Sequence, residues 1–228
     1  PTLPYATLTE CDYRAQKEEA LARVEDSLGY PVIVKPARLG SSIGVKVAQD
    51  RNELTNAVES GFSFDKTLLI EQYLPDKRDI NCAAYALNGK IFVSECEEPL
   101  SQEEILSFKE KYLDGGKTRR AVFPANIPKA VAEEVKFYTE KLYKTLSLSG
   151  MVRADFLLSG EKVYFNELNT VPGSLAYYLF SPKISHAKRL FESLIAEAIA
   201  TYSKPTLLPE TGILTQATAL GSFGGVKK

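Results

Sequence analysis

Two strings of residues have the types and spacing to do chemistry. The first is Lys35-Pro36-Ala37-Arg38-Leu39-Gly40-Ser41-Ser42-Ile43-Gly44. A lysine that leaves a strand into a small, flexible loop can turn successive backbone N–H groups toward phosphate oxygens while its ammonium supplies charge. Taken alone, the string reads equally well as a surface turn behind a strand-end lysine. It is not a Walker A loop, because the Gly-x4-Gly-Lys-Ser/Thr order is absent. The second string is Arg153-Ala154-Asp155 together with Glu167-Leu168-Asn169. Residues two apart on a strand share a face. Arg153 and Asp155 therefore point one way and Val152, Ala154 and Phe156 the other, and Glu167 and Asn169 share a face on the partner strand. If the two strands pair in even register, all four converge. Two carboxylates and an amide oxygen are hard ligands of the kind Mg²⁺ takes, and an arginine beside them can stabilise a developing oxyanion. The same residues also describe a solvated polar face with a surface ion pair.

Three weaker strings accompany these. Pro172-Gly173-Ser174 follows the second string directly, and a glycine there lets a backbone N–H approach a ligand closely, or simply makes a turn. Leu69-Ile70-Glu71-Gln72-Tyr73-Leu74 is an apolar strand running into a polar linker, which could offer backbone groups to a base edge or just connect two lobes. Lys111-Tyr112, followed by Gly115-Gly116-Lys117, could close over phosphates and exclude water. His186 is the sole histidine and reads as a surface or capping residue, which removes histidine-based triads from consideration.

These residues need elements to hold them. Leu21, Val24 and Leu28 have helical spacing over Asp12–Leu28, with Gly29 as the residue that ends the helix. Pro31–Lys35 and Val45–Val47 read as strands on either side of the Gly/Ser loop. Asp50 with Glu53 resembles a capping box for a helix whose inner face is Leu54, Ala57 and Val58. Thr67–Ile70 is a strand. Asp79–Leu87 and Lys90–Glu97 flank Asn88-Gly89, a two-residue hairpin turn. In that register Cys82 faces Glu95 and Cys96 faces Asn81, so the two thiols fall on opposite faces and cannot bond. Pro99–Asn126 is a long polar excursion of the kind that often serves as a lid. Pro128 opens a helix with Val131, Val135, Tyr138 and Leu142 on one stripe. Met151–Leu158 and Lys162–Leu168 are strands around Ser159-Gly160, and a last helix covers about Lys183–Tyr202. The order is α+β with mainly antiparallel sheets, not the strand–helix alternation of a doubly wound fold.

Composition narrows the functional classes. The 228 residues carry 28 Lys plus Arg against 29 Asp plus Glu, a net charge of −1, which argues against a nucleic-acid binder. The 44% hydrophobic and 25% charged fractions are those of a globular protein. No apolar run approaches the roughly 20 residues of a membrane span, so no membrane partner is expected. Three scattered cysteines suit reduced thiols and a cytoplasmic protein, and the lack of a CxxC pair speaks against zinc. The chain begins at Pro1 rather than Met, as a fragment or processed product would.

In this order the strings resemble the ATP-grasp superfamily, most closely the D-alanine–D-alanine ligases. They are Pro31-Val-Ile-Val-Lys-Pro36, Gly40-Ser-Ser-Ile-Gly44, Glu71-Gln-Tyr-Leu74, Lys111-Tyr-Leu113, Met151-Val-Arg-Ala-Asp155 and Asn166-Glu-Leu-Asn-Thr-Val-Pro-Gly173. The resemblance implies two α+β lobes gripping ATP, residues 1–75 and 76–202, with 203–228 as a tail. Lys35 would hold the α- and β-phosphates, and Gly40, Ser41 and Ser42 would cover the γ-phosphate. Glu71, Tyr73 and Leu74 would read adenine, with Phe165 and Asn166 completing the nucleotide set. Asp79 stands where the family usually has a ribose-binding glutamate. Lys111 would sit on the γ-phosphate with Tyr112 near the donor. Asp155, Glu167 and Asn169 would bind two Mg²⁺, with Mn²⁺ as an alternative, and Arg153 and the Gly173 N–H would form the oxyanion site.

The implied reaction is phosphoryl transfer to a carboxylate followed by attack of an amine, with small amino-acid or dipeptide substrates. Two departures stand out. The family's N-terminal domain of about a hundred residues and a lysine just before Pro1 are absent, so the chain is expected to be an incomplete enzyme. A homo-oligomer, if formed, would use that domain. Tyr178 stands about where the D-alanine ligases carry a serine for the acceptor carboxylate, which opens the alternative of another amino-acid or peptide acceptor. A non-catalytic nucleotide-binding module and a plain interaction domain are the remaining readings.

Overall fold

The computed structural model describes residues 1–100, 121–181 and 183–202. Two four-stranded antiparallel sheets carry the structure. The first contains β1 (Tyr5–Thr9), β2 (Val32–Pro36), β3 (Lys46–Ala48) and β4 (Thr67–Gln72), in spatial order β1-β4-β2-β3. Strand β1 is not anticipated from the sequence; it is a five-residue edge strand whose pairing with β4 is remote in the chain. Val32, Val34, Leu68 and Ile70 point from the sheet into a core closed by Leu21 and Val24 of α2 (Lys17–Leu28) and Leu54, Ala57 and Val58 of α3 (Arg51–Gly61). Each such aliphatic side chain contributes roughly 1.5–3 kcal/mol when fully buried. The Asp50 side chain accepts from Glu53 N–H, and the Glu53 carboxylate reaches back to Gln49 N–H, so α3 starts as the capping pattern predicts.

The single helix expected over Asp12–Leu28 is two. α1 (Glu10–Ala15), capped by Thr9, breaks at Gln16 (φ −144°, ψ 60°) before α2 begins. The break lets Tyr13 pack its ring on Phe62 and reach Glu59 with its hydroxyl, while α2 stays on the sheet.

The second sheet runs β10-β9-β5-β6, from β5 (Arg78–Leu87), β6 (Lys90–Val93), β9 (Val152–Ser159) and β10 (Lys162–Asn169). α4 (Lys129–Thr145) covers one face through Val131, Val135, Thr139 and Tyr143, with Tyr138 and Leu142 half-buried beside them. α5 (Ile184–Thr201) and the 3₁₀ turn Gly173–Leu179 pack near the start of β9; His186 falls in the first turn of α5. β7 (Glu98–Pro99) and β8 (Ala121–Val122) pair at the base of the long excursion.

The Asn88-Gly89 hairpin holds its expected register through Ala84 opposite Val93. It then slips by one residue, because Asn81 pairs with Glu97 rather than with Cys96. The inference that Cys82 and Cys96 lie on opposite faces is therefore wrong. The bulge after Ser94 turns both thiols into the same core, where both remain free.

Candidate active site

Lys35 is the last charged residue of β2, on the sheet face away from the helices. Glu71 on β4 lies diagonally across from it, within reach for long side chains. The Lys35 ammonium donates to the Glu71 carboxylate, and also to Asn166 Oδ1 at 2.9 Å, on the second sheet. Asn166 is available because β10 carries a β-bulge between Phe165 and Glu167, which frees that residue from the ladder. The first and second sheets thus meet at a lysine.

The Gly40–Gly44 loop follows. Ser41 and Ser42 both have φ 59° and Gly44 has φ 74°. A Cβ on Gly44 would come within 2.8 Å of the Phe64 ring and 2.9 Å of Pro36, so this position requires glycine. The loop is anchored by a residue the sequence reading passed over. Asp65 accepts from Arg38 N–H at 2.8 Å and from Thr67 N–H at 3.1 Å. Burial alone would raise its carboxyl, but these backbone donors hold it below the ordinary carboxylate value. An aspartate just before a strand, 27 residues from its partner, gives no local signal of this.

On the second sheet Arg153 and Asn169 are opposite one another, as are Asp155 and Glu167. All four side chains do converge. Arg153 grips Asp155 with two bonds of 2.6 Å, and Asn169 Nδ2 donates to Asp155 at 3.0 Å and to Glu167 at 3.3 Å. Burial, and then the nearby Glu167 carboxylate, raise Asp155 while Arg153 opposes them; the result is a carboxyl pushed up to about 6. Burial opposes the charge on Arg153, but its bond to Asp155 raises its pKa overall. Tyr178 lies close enough to Arg153 to act on its charge. Asn81, buried and opposite Asp155 on β5, and Glu97, buried and opposite Asn81, extend this polar face. The alternation Asp79-Ile80-Asn81 could have signalled Asn81; Glu97 depends on the register slip and could not be found.

The other candidates are less concentrated. Asp79 pairs with Lys77 at 3.0 Å. Tyr73 is buried and its N–H donates to Pro31 O, with Leu74 next along the chain. Phe165 sets its ring edge-on to the core residue Phe156, and its N–H donates to Pro1 O. A Cβ at Gly173 would meet nothing, but the three residues after it, Ser174, Leu175 and Ala176, all have φ near +50°. Left-handed backbone costs roughly 1–2 kcal/mol per non-glycine residue and collects at functional sites. Lys111 and Tyr112 lie outside the described residues. Among the described residues no three His, Cys, Asp or Glu side chains form a metal cluster; the candidate set is the Asp155–Glu167 pair with the Asn169 amide.

With this geometry in place, the known proteins it matches are informative. The family model described as D-ala D-ala ligase C-terminus matches residues 1–200. A D-alanine–D-alanine ligase of Caldicellulosiruptor bescii is 38% identical over 195 residues, covering 82% of this chain and 52% of that protein. One from Thermosipho melanesiensis is 37% identical over 199 residues, covering 86% and 54%. The crystal structure of the D-alanine–D-alanine ligase from Helicobacter pylori superposes with a TM-score of 0.64 at 35% identity, over 86% of this chain and 56% of that one. The chain thus spans about half the length of the curated relatives it matches.

Proposed function

The chain belongs to the D-alanine–D-alanine ligase C-terminal family, with its α+β ATP-grasp fold, and from that premise we propose that it is the nucleotide-binding and catalytic part of an ATP-dependent carboxylate–amine ligase. Its product would be a D-alanyl dipeptide for peptidoglycan precursors, made in the cytoplasm. The two lobes are residues 1–75 and 76–202, and the nucleotide lies in the seam between their sheets. The observation that carries the reading is the convergence of Arg153, Asp155, Glu167 and Asn169 beside the Lys35–Asn166 contact, which joins a phosphate-type cation to a polar site across two sheets.

Each residue has a defined task. Lys35 exchanges Glu71 and Asn166 for the α- and β-phosphates. The Gly40–Ser42 backbone covers the γ-phosphate, with Ser41 beside the transferring group. Glu71, Tyr73, Leu74, Phe165 and Asn166 border the base, and Asp79 reaches the ribose. The γ-phosphoryl group passes to the donor carboxylate, the acceptor amine attacks the resulting acyl phosphate, and phosphate leaves with an amide bond formed. Arg153 and the Gly173 N–H hold the oxyanion of the tetrahedral intermediate. Lys111 and Tyr112 are assigned to phosphate and donor by the family motif alone. Much of the rate comes from positioning and electrostatics, since no protein nucleophile is needed.

Asp155 and Glu167 fit Mg²⁺, and Asn169 joins them once its amide turns to present the oxygen in place of Nδ2. Burial, and then the neighbouring Glu167 carboxylate, raise Asp155 against its charge, and a hard cation offsets both. When bound, Mg²⁺ (two ions, or Mn²⁺) neutralises phosphate charge and orients the phosphoryl oxygens. Tyr178 on Arg153 favours a second reading, in which the acceptor is an amine other than D-alanine.

The test is ADP release by the full-length gene product with Mg-ATP and D-alanine, with mass spectrometry of the product. Turnover to a D-alanyl dipeptide is expected. Turnover only with another amine would support the second reading, and ADP release independent of any amino acid would overturn both.

A further inference from the structure

Cys82 and Cys96 take no part in the polar face. Both are buried behind the second sheet, at 0% and 2% exposure. Next to them, Asn81 and Glu97 exchange both backbone hydrogen bonds, at 2.8 and 2.9 Å. The next residue along each strand is a cysteine, at the bulge where two residues stand opposite one, and both side chains enter the same core. That pair is Cys82 and Cys96. A disulfide spans Cα separations of roughly 4.4–6.8 Å, the range in which neighbours across two paired strands lie.

The surroundings also favour the chemistry. The Cys82 thiol donates to Ser94 O at 3.6 Å and the Cys96 thiol to Ala132 O at 3.8 Å, and each shifts the titration of the other. Cys82 Sγ lies 3.7 Å from the Ser94 hydroxyl, with Thr139 of α4 close by. Cys96 holds Cys82 below the usual thiol range, against its burial, with Lys136 adding positive charge nearby, while Cys96 is pushed up by Cys82 and by burial. Cys82 is thus the easier of the two to ionise.

We propose that Cys82 and Cys96 are a redox modification site that closes to a reversible cross-strand disulfide on exposure to a hydroperoxide. The Cys82 thiolate attacks one peroxide oxygen, the O–O bond breaks and hydroxide leaves, giving a sulfenic acid. The Cys96 sulfur then attacks the Cys82 sulfur, the S–O bond breaks, and water leaves with the Cys96 proton. The peroxide is reduced and the two thiols are oxidised. Ser94, Cys96 and Glu97 are buried, so the oxidant enters through local opening of the segment where the ladder is interrupted. The closed bond fixes β5 at the residues flanking Cys82, namely Asn81 and Ala83, which pair with Asp155 and Arg153.

The experiment uses the full chain carrying Cys11→Ser, which removes the exposed third thiol. The folded protein is treated with hydrogen peroxide and digested without reduction for mass spectrometry. The expected product is one intramolecular link between the Cys82 and Cys96 peptides, with loss of two hydrogens, reversed by dithiothreitol. The oxidised chain should melt roughly 5–10 °C higher. Adding Cys96→Ala should leave Cys82 as a sulfenic acid that dimedone traps. The proposal fails if the folded chain keeps both thiols while the denatured chain oxidises. It also fails if Cys82 accumulates as sulfenic or sulfinic acid with Cys96 intact. Neither result depends on ligase activity.

Discussion

The two sheets of this protein bury different things. Behind the first sheet the core is apolar throughout, from Leu8 to Ile70. Its cleft face carries one compensated pair, Lys35 with Glu71. The second sheet buries Asn81, Ser94, Glu97 and Thr139 and lines its face with Arg153, Asp155, Glu167 and Asn169. The first is built for stability and presents a loop and a lysine. The second accepts desolvated charge, which is tolerable only because each group is matched to a partner. The contrast separates a holder from a reactive surface within one short chain.

If that division is right, substitutions on the two sides should fail differently. The largest effect belongs to the second sheet: in the full-length protein, Arg153→Ala is expected to lower kcat by roughly 10²–10³-fold, read by ADP release, while a Met at Leu54 leaves kcat unchanged. Next, Leu54→Ala in the first core should cost roughly 2–5 kcal/mol in urea denaturation, with Mg-ATP affinity of the surviving folded fraction intact. A third test sits on the first sheet's loop. Gly44→Ala places a Cβ against Phe64 and Pro36 at positive φ, and should cost about 1–3 kcal/mol while weakening nucleotide binding. Asp50→Ala removes only a helix cap and should cost about 1 kcal/mol.

The smallest and most discriminating test is the sign of a pH dependence in the metal-free chain. Asp65 is held below its ordinary value, so its contribution is present at neutral pH and is lost as pH falls through that lowered value. Asp155 is pushed up to about 6, so its contribution is present below about pH 4 and is lost as pH rises toward and through 6. Replacing each by Asn should therefore flatten the stability–pH curve in opposite directions. Curves that shift the same way would erase the distinction between the sheets.

Much of this was legible in local sequence. The Asn-Gly turn, the Asp50 cap and the period-two pattern around Arg153–Asp155 each depend on neighbours within a few residues, and each forms as expected. What escaped depends on partners far along the chain. β1 is defined only by pairing with β4, some sixty residues later. Asp65 is defined by the loop it clamps, and Glu97 and the cysteine pair by a slip that no turn signal announces. The break at Gln16 follows from where Tyr13 finds Phe62, a contact that helical periodicity cannot foresee.

The bulge at Asn166 sets the parity of its strand. Ahead of it, odd-numbered Val163 and Phe165 pack inward; beyond it, even-numbered Leu168 packs inward and odd-numbered Glu167 and Asn169 turn to the cleft. One extra residue inverts the odd–even code, so that a single strand serves the core with its first half and chemistry with its second. Pairing Asn166 regularly, with no bulge, would send Glu167 and Asn169 inward and Leu168 outward; deleting Asn166 would instead leave a continuous ladder that keeps all three as they are and removes only the contact to Lys35.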